Sequence, residues 1–228
     1  MSDRLSREHL ESDYLVTGYA RAYEIYHQHK NSIIFGTLAV LLVIGGGIWF
    51  YLDRQAQEEE AQEMLSYAEQ LFQRGQYEQA LFGDDEGRTI GFAEIASEFS
   101  RTSAGNISRY YAAASEARLG NYEDALPYIE RFNPPDGILG VGPIAFHAAI
   151  LSNLGQHEQA AEIYLKAAEW DENDVTTPQN LLNAAEAAME AGNDARAQEY
   201  VTRVIDRYGD TGFAADAKRM QGLLSAQN

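Results

Sequence analysis

The chain has 228 residues, 17 lysines and arginines against 35 aspartates and glutamates, a net charge of −18 and no cysteine. The missing thiols exclude a disulfide framework, a thiolate zinc site, a cysteine nucleophile and a lipid anchor on an N-terminal cysteine. Such acidity repels a phosphate backbone, so no nucleic acid is expected; it reads first as a solvated or salt-adapted surface and second as attraction for a basic ligand.

Residues 1–31 form a lead in which Arg4, Arg7, Arg21 and Lys30 nearly balance five acids. Leu15, Tyr19, Ala22 and Tyr26 recur at helical spacing with Tyr14 and Tyr23 beside them, which predicts a short amphipathic helix. It would either lie at a membrane surface with its tyrosines at headgroup level or extend the helix that follows. His27 and His29 have no third ligand nearby in sequence and read as interfacial residues rather than the start of a metal site.

From position 31 to 52 the run NSIIFGTLAVLLVIGGGIWFYL has no acidic, basic or histidine side chain. As a helix, 32–52 extends roughly 32 Å and matches a hydrocarbon core of ~30 Å. A cleaved signal peptide has an apolar region of about 7 to 15 residues after a short basic start. Here a 31-residue lead comes first, and Trp49, Phe50 and Tyr51 follow as an interfacial belt. The reading is an uncleaved transmembrane helix over 32–52. Four bases precede it and only Arg54 lies close behind, followed by Glu58, Glu59 and Glu60. That bias places the N-terminus in the cytoplasm and residues 53–228 across the membrane. Gly45, Gly46 and Gly47 permit close approach by another membrane helix, but their spacing is not that of the GxxxG motif, and simple tolerance of glycine in lipid is the first reading.

Residues 53–228 hold thirteen bases and thirty acids, a charge of −17, and are long enough for a substantial core. Four fragments repeat there: GQYEQAL at Gly75, GNYEDAL at Gly120, GQHEQAA at Gly155 and GNDARAQ at Gly192. Each pairs a glycine with an alanine five residues later. The glycine turns the chain out of one helix, and the small alanine lets the next pack closely against it. Stretches with apolar residues three and four apart flank every fragment, so the prediction is antiparallel helix pairs. The glycine spacings are 45, 35 and 37. The long first interval is explained by FGDDEGRT at 82–89, which interrupts the second helix of the first pair. Its acids lack the ligand spacing of an EF-hand and read as a surface loop.

These G-x-Y-E-x-A-L fragments resemble the tetratricopeptide repeat, whose unit is about 34 residues. The resemblance covers 59–208, although the fourth fragment lacks the ring residue and most lack the family's proline. It implies an all-α solenoid of about four helix pairs with a concave groove, and the segment TGFAADAKRMQGLLSA reads as its C-terminal capping helix. Carrying over the family's groove positions, with each glycine at position 15, selects Leu65, Phe72, Ile107, Tyr110, Leu182 and Met189, with alanines filling the remainder of the second and third units. Each of the six either lines the groove or merely packs between repeats. The acids around such a surface would attract basic segments of an apolar or extended polypeptide.

The whole layout is similar to the YfgM-like proteins of bacteria. That resemblance implies association with the SecYEG translocon and a membrane-anchored periplasmic chaperone of prolyl-isomerase type, handling newly exported chains. A tethered assembly factor for another envelope complex, such as cytochrome c maturation or outer-membrane assembly, is the alternative. No phosphate-cradling loop, HExxH or GxSxG occurs. His147 and His157 read as packing or turn residues, and neither an enzyme nor a cofactor or metal is expected.

Overall fold

The repeat glycines decide where helices stop. At Gly75, Gly120, Gly155 and Gly192 the backbone takes φ of 78°, 87°, 71° and 75°, a region that costs other L-residues roughly 1–2 kcal/mol. In every case the next N–H returns to the carbonyl five residues back: Gln76 to Leu71 at 3.0 Å, Asn121 to Glu116 at 2.9 Å, Gln156 to Leu151 at 2.9 Å and Asn193 to Ala188 at 2.8 Å. This Schellman closure satisfies the last carbonyls of one helix and starts its antiparallel partner two residues later.

The computed structural model describes residues 3–84 and 89–227. Among them the elements are α1 (Asp3–Gln73), α2 (Tyr77–Phe82), α3 (Phe92–Glu98), α4 (Ser103–Leu119), α5 (Tyr122–Glu130), α6 (Ile138–Asn153), α7 (His157–Trp170), α8 (Thr176–Glu190), α9 (Asp194–Arg207) and α10 (Phe213–Gln227), with no strand. The chain divides into two units, Met1–Ala56 and Gln57–Asn228.

In the first unit, α1 is two helices joined at a kink, where His29 leaves helical geometry (φ −117°, ψ 18°). The helix after the kink is long and apolar enough to cross a membrane, and none of its apolar window is buried. Tyr19, Tyr23 and His27 line one face of the lead, with ring centroids 6.4 Å and 4.4 Å apart. Tyr14, Leu15 and Ala22 lie outside the residues whose side chains are described.

In the second unit, the last part of α1 shares one core with α2 and α3, then α4 pairs with α5, α6 with α7 and α8 with α9, and α10 closes the end. The alanines five residues after the glycines, Ala80, Ala125, Ala160 and Ala197, have no exposed surface. One core groups Leu65, Leu71, Leu81, Phe92 and Ile95; another groups Leu181, Val201, Val204 and Leu224. The second helix of the first pair is indeed broken: Gly83 ends α2, and Phe92, fully buried, opens α3. The intervening loop is closed by Asp84, whose N–H donates to the Thr89 carbonyl at 3.3 Å while its carboxylate accepts from the Thr89 N–H at 3.2 Å. Positions 85–88 of the expected surface loop lie outside the described residues.

Two polar devices tie neighbouring pairs together. The Glu58 carboxylate accepts from the Ser103 and Ala104 N–H groups at 2.6 and 3.1 Å, while Thr102 accepts from Gly105 at 2.9 Å. Three orphan donors at the start of α4 are thereby satisfied, one set from a residue 45 positions away. Burial alone would raise the Glu58 pKa, but the Ser103 and Ala104 N–H groups and the Gln62 amide outweigh it and hold the carboxyl below its ordinary value. Along α9, Arg196 pairs with Glu158 and Glu162 at 3.1 and 3.3 Å, and Arg203 with Glu169 and Glu172 at 2.7 and 2.8 Å. Each such exposed pair is worth at most about 1 kcal/mol.

Two outcomes are expected. A Cβ at Gly120 meets nothing within 4 Å, so Gly120→Ala should lose about 1 kcal/mol in denaturant melts through backbone strain alone. Because the Glu58 pKa is lowered by folding, its contribution is present above the ordinary glutamate value and vanishes as pH falls through the lowered one. Thermal melts of Glu58→Gln should therefore lie below the parent at neutral pH and converge with it in acid, below the ordinary glutamate range; a gap independent of pH would sink this account.

Candidate functional site

The first helices of successive pairs run side by side, so equivalent positions form rows across them. Phe72 of α1, Tyr110 and Tyr111 of α4, and Phe146 of α6 come together in this way. Phe72 meets Tyr111 at 5.3 Å between centroids, Tyr111 meets Tyr110 at 5.7 Å, and Tyr110 meets Phe146 at 5.7 Å, all edge-on. Edge-to-face contacts at these separations hold rings in place beyond their area burial. Beneath them Phe92 stacks on Tyr111 at 5.0 Å and 13°. The rings, with Ala114, Ala117, Ala149 and Asn153, border an open groove of about 550 Å³.

The groove is apolar but wired to charge. Burial pushes the Tyr110 hydroxyl above the ordinary tyrosine value, opposed by Arg118. Burial also raises Tyr111, whose hydroxyl donates to the Glu69 carboxylate, and the Glu69 charge adds to the shift. Further along, Glu186 and Glu190 of α8 surround Tyr164, whose pKa is raised by burial and then by Glu186. His157 Nδ1 lies 2.9 Å from Glu190, an ion-pair distance without aligned hydrogen-bond geometry.

The six sequence-predicted groove residues divide. Phe72 and Tyr110 border the groove. Leu65 and Leu182 are each 7% exposed and belong to the two cores, which is a packing role. Met189 is partly buried against the second core, and Ile107 is 40% exposed but not among the groove's lining residues. Tyr111 and Phe146 were missed: each stands one position after a family groove position, and only the aromatic pair YY at 110–111 hinted at the first. In the apolar segment, a Cβ on Gly45, Gly46 or Gly47 meets nothing within 4 Å, so the chain's own fold leaves that surface open.

A second, smaller hollow of about 140 Å³ has Glu130, His147 and Lys166 on apolar walls. Burial lowers the His147 pKa, with Glu130 opposing and Lys166 reinforcing the shift. Among the described residues no group of three or more His, Cys, Asp or Glu is placed to hold a metal ion.

Residues 146–174 match the tetratricopeptide repeat family, so one such repeat spans the groove-facing end of α6, the Gly155 turn and α7. A crystal structure of nearly identical repeats of tetratricopeptide type, from a protein assigned as a kinesin light chain of Podosopora anserina, superimposes with a TM-score of 0.55 at 14% identity. The match covers 75% of this chain and 93% of that one. It establishes an all-helical solenoid of tetratricopeptide type. No curated protein sequence matches the chain.

Desolvation of the groove tyrosines has a measurable consequence. A raised tyrosine pKa means that stability fully present below the ordinary value is lost as pH rises from it through the raised one. Phenolate absorbance should titrate in two phases, and Tyr110→Phe should remove one group from the later phase and soften the alkaline loss of stability.

Proposed function

We propose that this chain is a single-pass, membrane-tethered interaction protein whose repeat domain lies in the bacterial periplasm and assists newly exported polypeptides as an accessory subunit of the Sec translocon. The observation that carries the reading is the uncovered aromatic groove joining Phe72, Tyr111, Tyr110 and Phe146. A tetratricopeptide solenoid supports protein partners in general; the groove is where this one offers apolar surface that its own fold does not cover.

The unburied apolar helix and the lysine and arginine bias around it support the anchor and its orientation. Anchoring confines the groove to a thin layer at the membrane, and that local concentration makes weak, exchangeable binding useful. On this reading the groove binds extended chains and does no covalent chemistry, and the anchored partners are translocon subunits and a periplasmic chaperone.

Solubilisation in mild detergent followed by affinity purification of the tagged chain should recover channel subunits; recovery of haem-ligation or outer-membrane assembly components without them would replace the translocon with another envelope complex. Phe72→Ala and Tyr110→Ala should retain the parent's circular dichroism and lose the partner, since truncating a groove anchor costs about 2 kcal/mol of binding. In intact spheroplasts, added protease should remove the C-terminal domain, and its resistance would reverse the topology.

A further inference from the structure

The helix register places two rows of side chains across the second unit. Counting nine positions into each pair, the residues are Glu69, Ala114, Ala149 and Glu186; three positions further they are Phe72, Ala117, Ser152 and Met189. The middle members of the first row are half-buried alanines, whose small side chains leave the backbone of α4 and α6 close to the groove surface. The row thus makes a shallow trough with aromatic rings beside it and a carboxylate at each end.

The two ends are not equivalent. Glu69 accepts from Tyr111 and belongs to the aromatic wall. Glu186 is exposed, and Glu190, one helical turn on, is 51% exposed with one carboxylate oxygen 2.9 Å from His157 Nδ1. Both lie on α8, beyond the last ring of the groove, and no lysine or arginine occurs in α8. A chain laid across the trough with an apolar side chain among the rings therefore passes next to two carboxylates. A side chain seated between Tyr110 of α4 and Phe146 of α6 lies about one and a half helix spacings from α8; with neighbouring axes about 8–10 Å apart and an extended chain advancing about 3.3 Å per residue, that is roughly four residues.

We propose that the groove selects extended polypeptide segments in which an aromatic or leucine side chain is followed or preceded, within about three to five residues, by lysine or arginine, the apolar group seating among Phe72, Tyr110 and Phe146 and the cation at Glu186 and Glu190. This rests on the groove being the binding surface. It adds a charge rule to it that applies at the α8 end: Arg118 borders the groove beside Tyr110, but an acidic residue that reaches α8 meets Glu186 and Glu190 and no lysine or arginine of that helix, so acidic segments of equal hydrophobicity bind more weakly than basic ones.

The test uses the full chain in detergent micelles and fluorescently labelled peptides that share one phenylalanine and carry, about four residues away, either two lysines, two glutamines or two glutamates. Anisotropy should rank lysine above glutamine above glutamate, with the spread shrinking in high salt. Glu186→Gln with Glu190→Gln, surface changes that leave the fold intact, should weaken the lysine peptide about three- to tenfold and leave the glutamine peptide unchanged. Tyr110→Ala should weaken all three. A lysine peptide bound equally by parent and double variant, with Tyr110→Ala still abolishing binding, would overturn the charge rule and keep the groove. Peptide binding indifferent to Tyr110→Ala, or a groove occupied by a second copy whose dimer is lost in that variant, would overturn both.

Discussion

Four alanines with no accessible surface, Ala80, Ala125, Ala160 and Ala197, set the distance between the two helices of every pair. A larger side chain at any of them would push the helices apart, and the interior is packed too densely to absorb the displacement. Their position follows from the turn: a left-handed glycine and its returning hydrogen bond bring the alanine of the second helix opposite the end of the first. Close pairing in turn fixes where the first helices of successive pairs stand, and it is their common face that carries the rings.

Because the pairs are stacked rather than folded about one centre, the hydrophobic interior is split into several clusters, and polar contacts join what apolar packing does not. Glu58 reaching the start of α4 and the arginines of α9 reaching α7 are of this kind. They also use up acids in a strongly acidic chain. The arginines collect on α9, whereas α8 keeps Glu186 and Glu190 without a lysine or arginine of its own. Net charge is thus a property of the chain, but attraction for a cation is a property of one helix.

Function follows from the same division. Stability resides mainly in alanine, leucine and valine inside the pairs, with Phe92 and Tyr200 buried among them, while Phe72, Tyr110, Tyr111 and Phe146 stay half-buried between pairs, held by edge-on contacts that stabilise without covering.

Much of this was legible in the residues. The glycine and alanine positions are local requirements of a turn and a close helix contact, so the helix pairs, the interrupted first unit and the capping helix could be read without coordinates. The apolar run is equally local, as length and polarity alone decide whether a helix can cross lipid. The groove was only half legible: a repeat register identifies a face, but of the residues on it Phe72 and Tyr110 border the groove while Leu65 and Leu182 lie in the cores. Whether a residue on that face is open depends on how far the adjoining pair covers it, and that depends on side chains a whole repeat away in sequence. Tyr111 and Phe146 joined the groove for the same reason. The sequence by itself determined the pairing, the anchor candidate and the charge; the tertiary structure decided which rings meet and which carboxylates remain beside them, because those are contacts between pairs rather than within one.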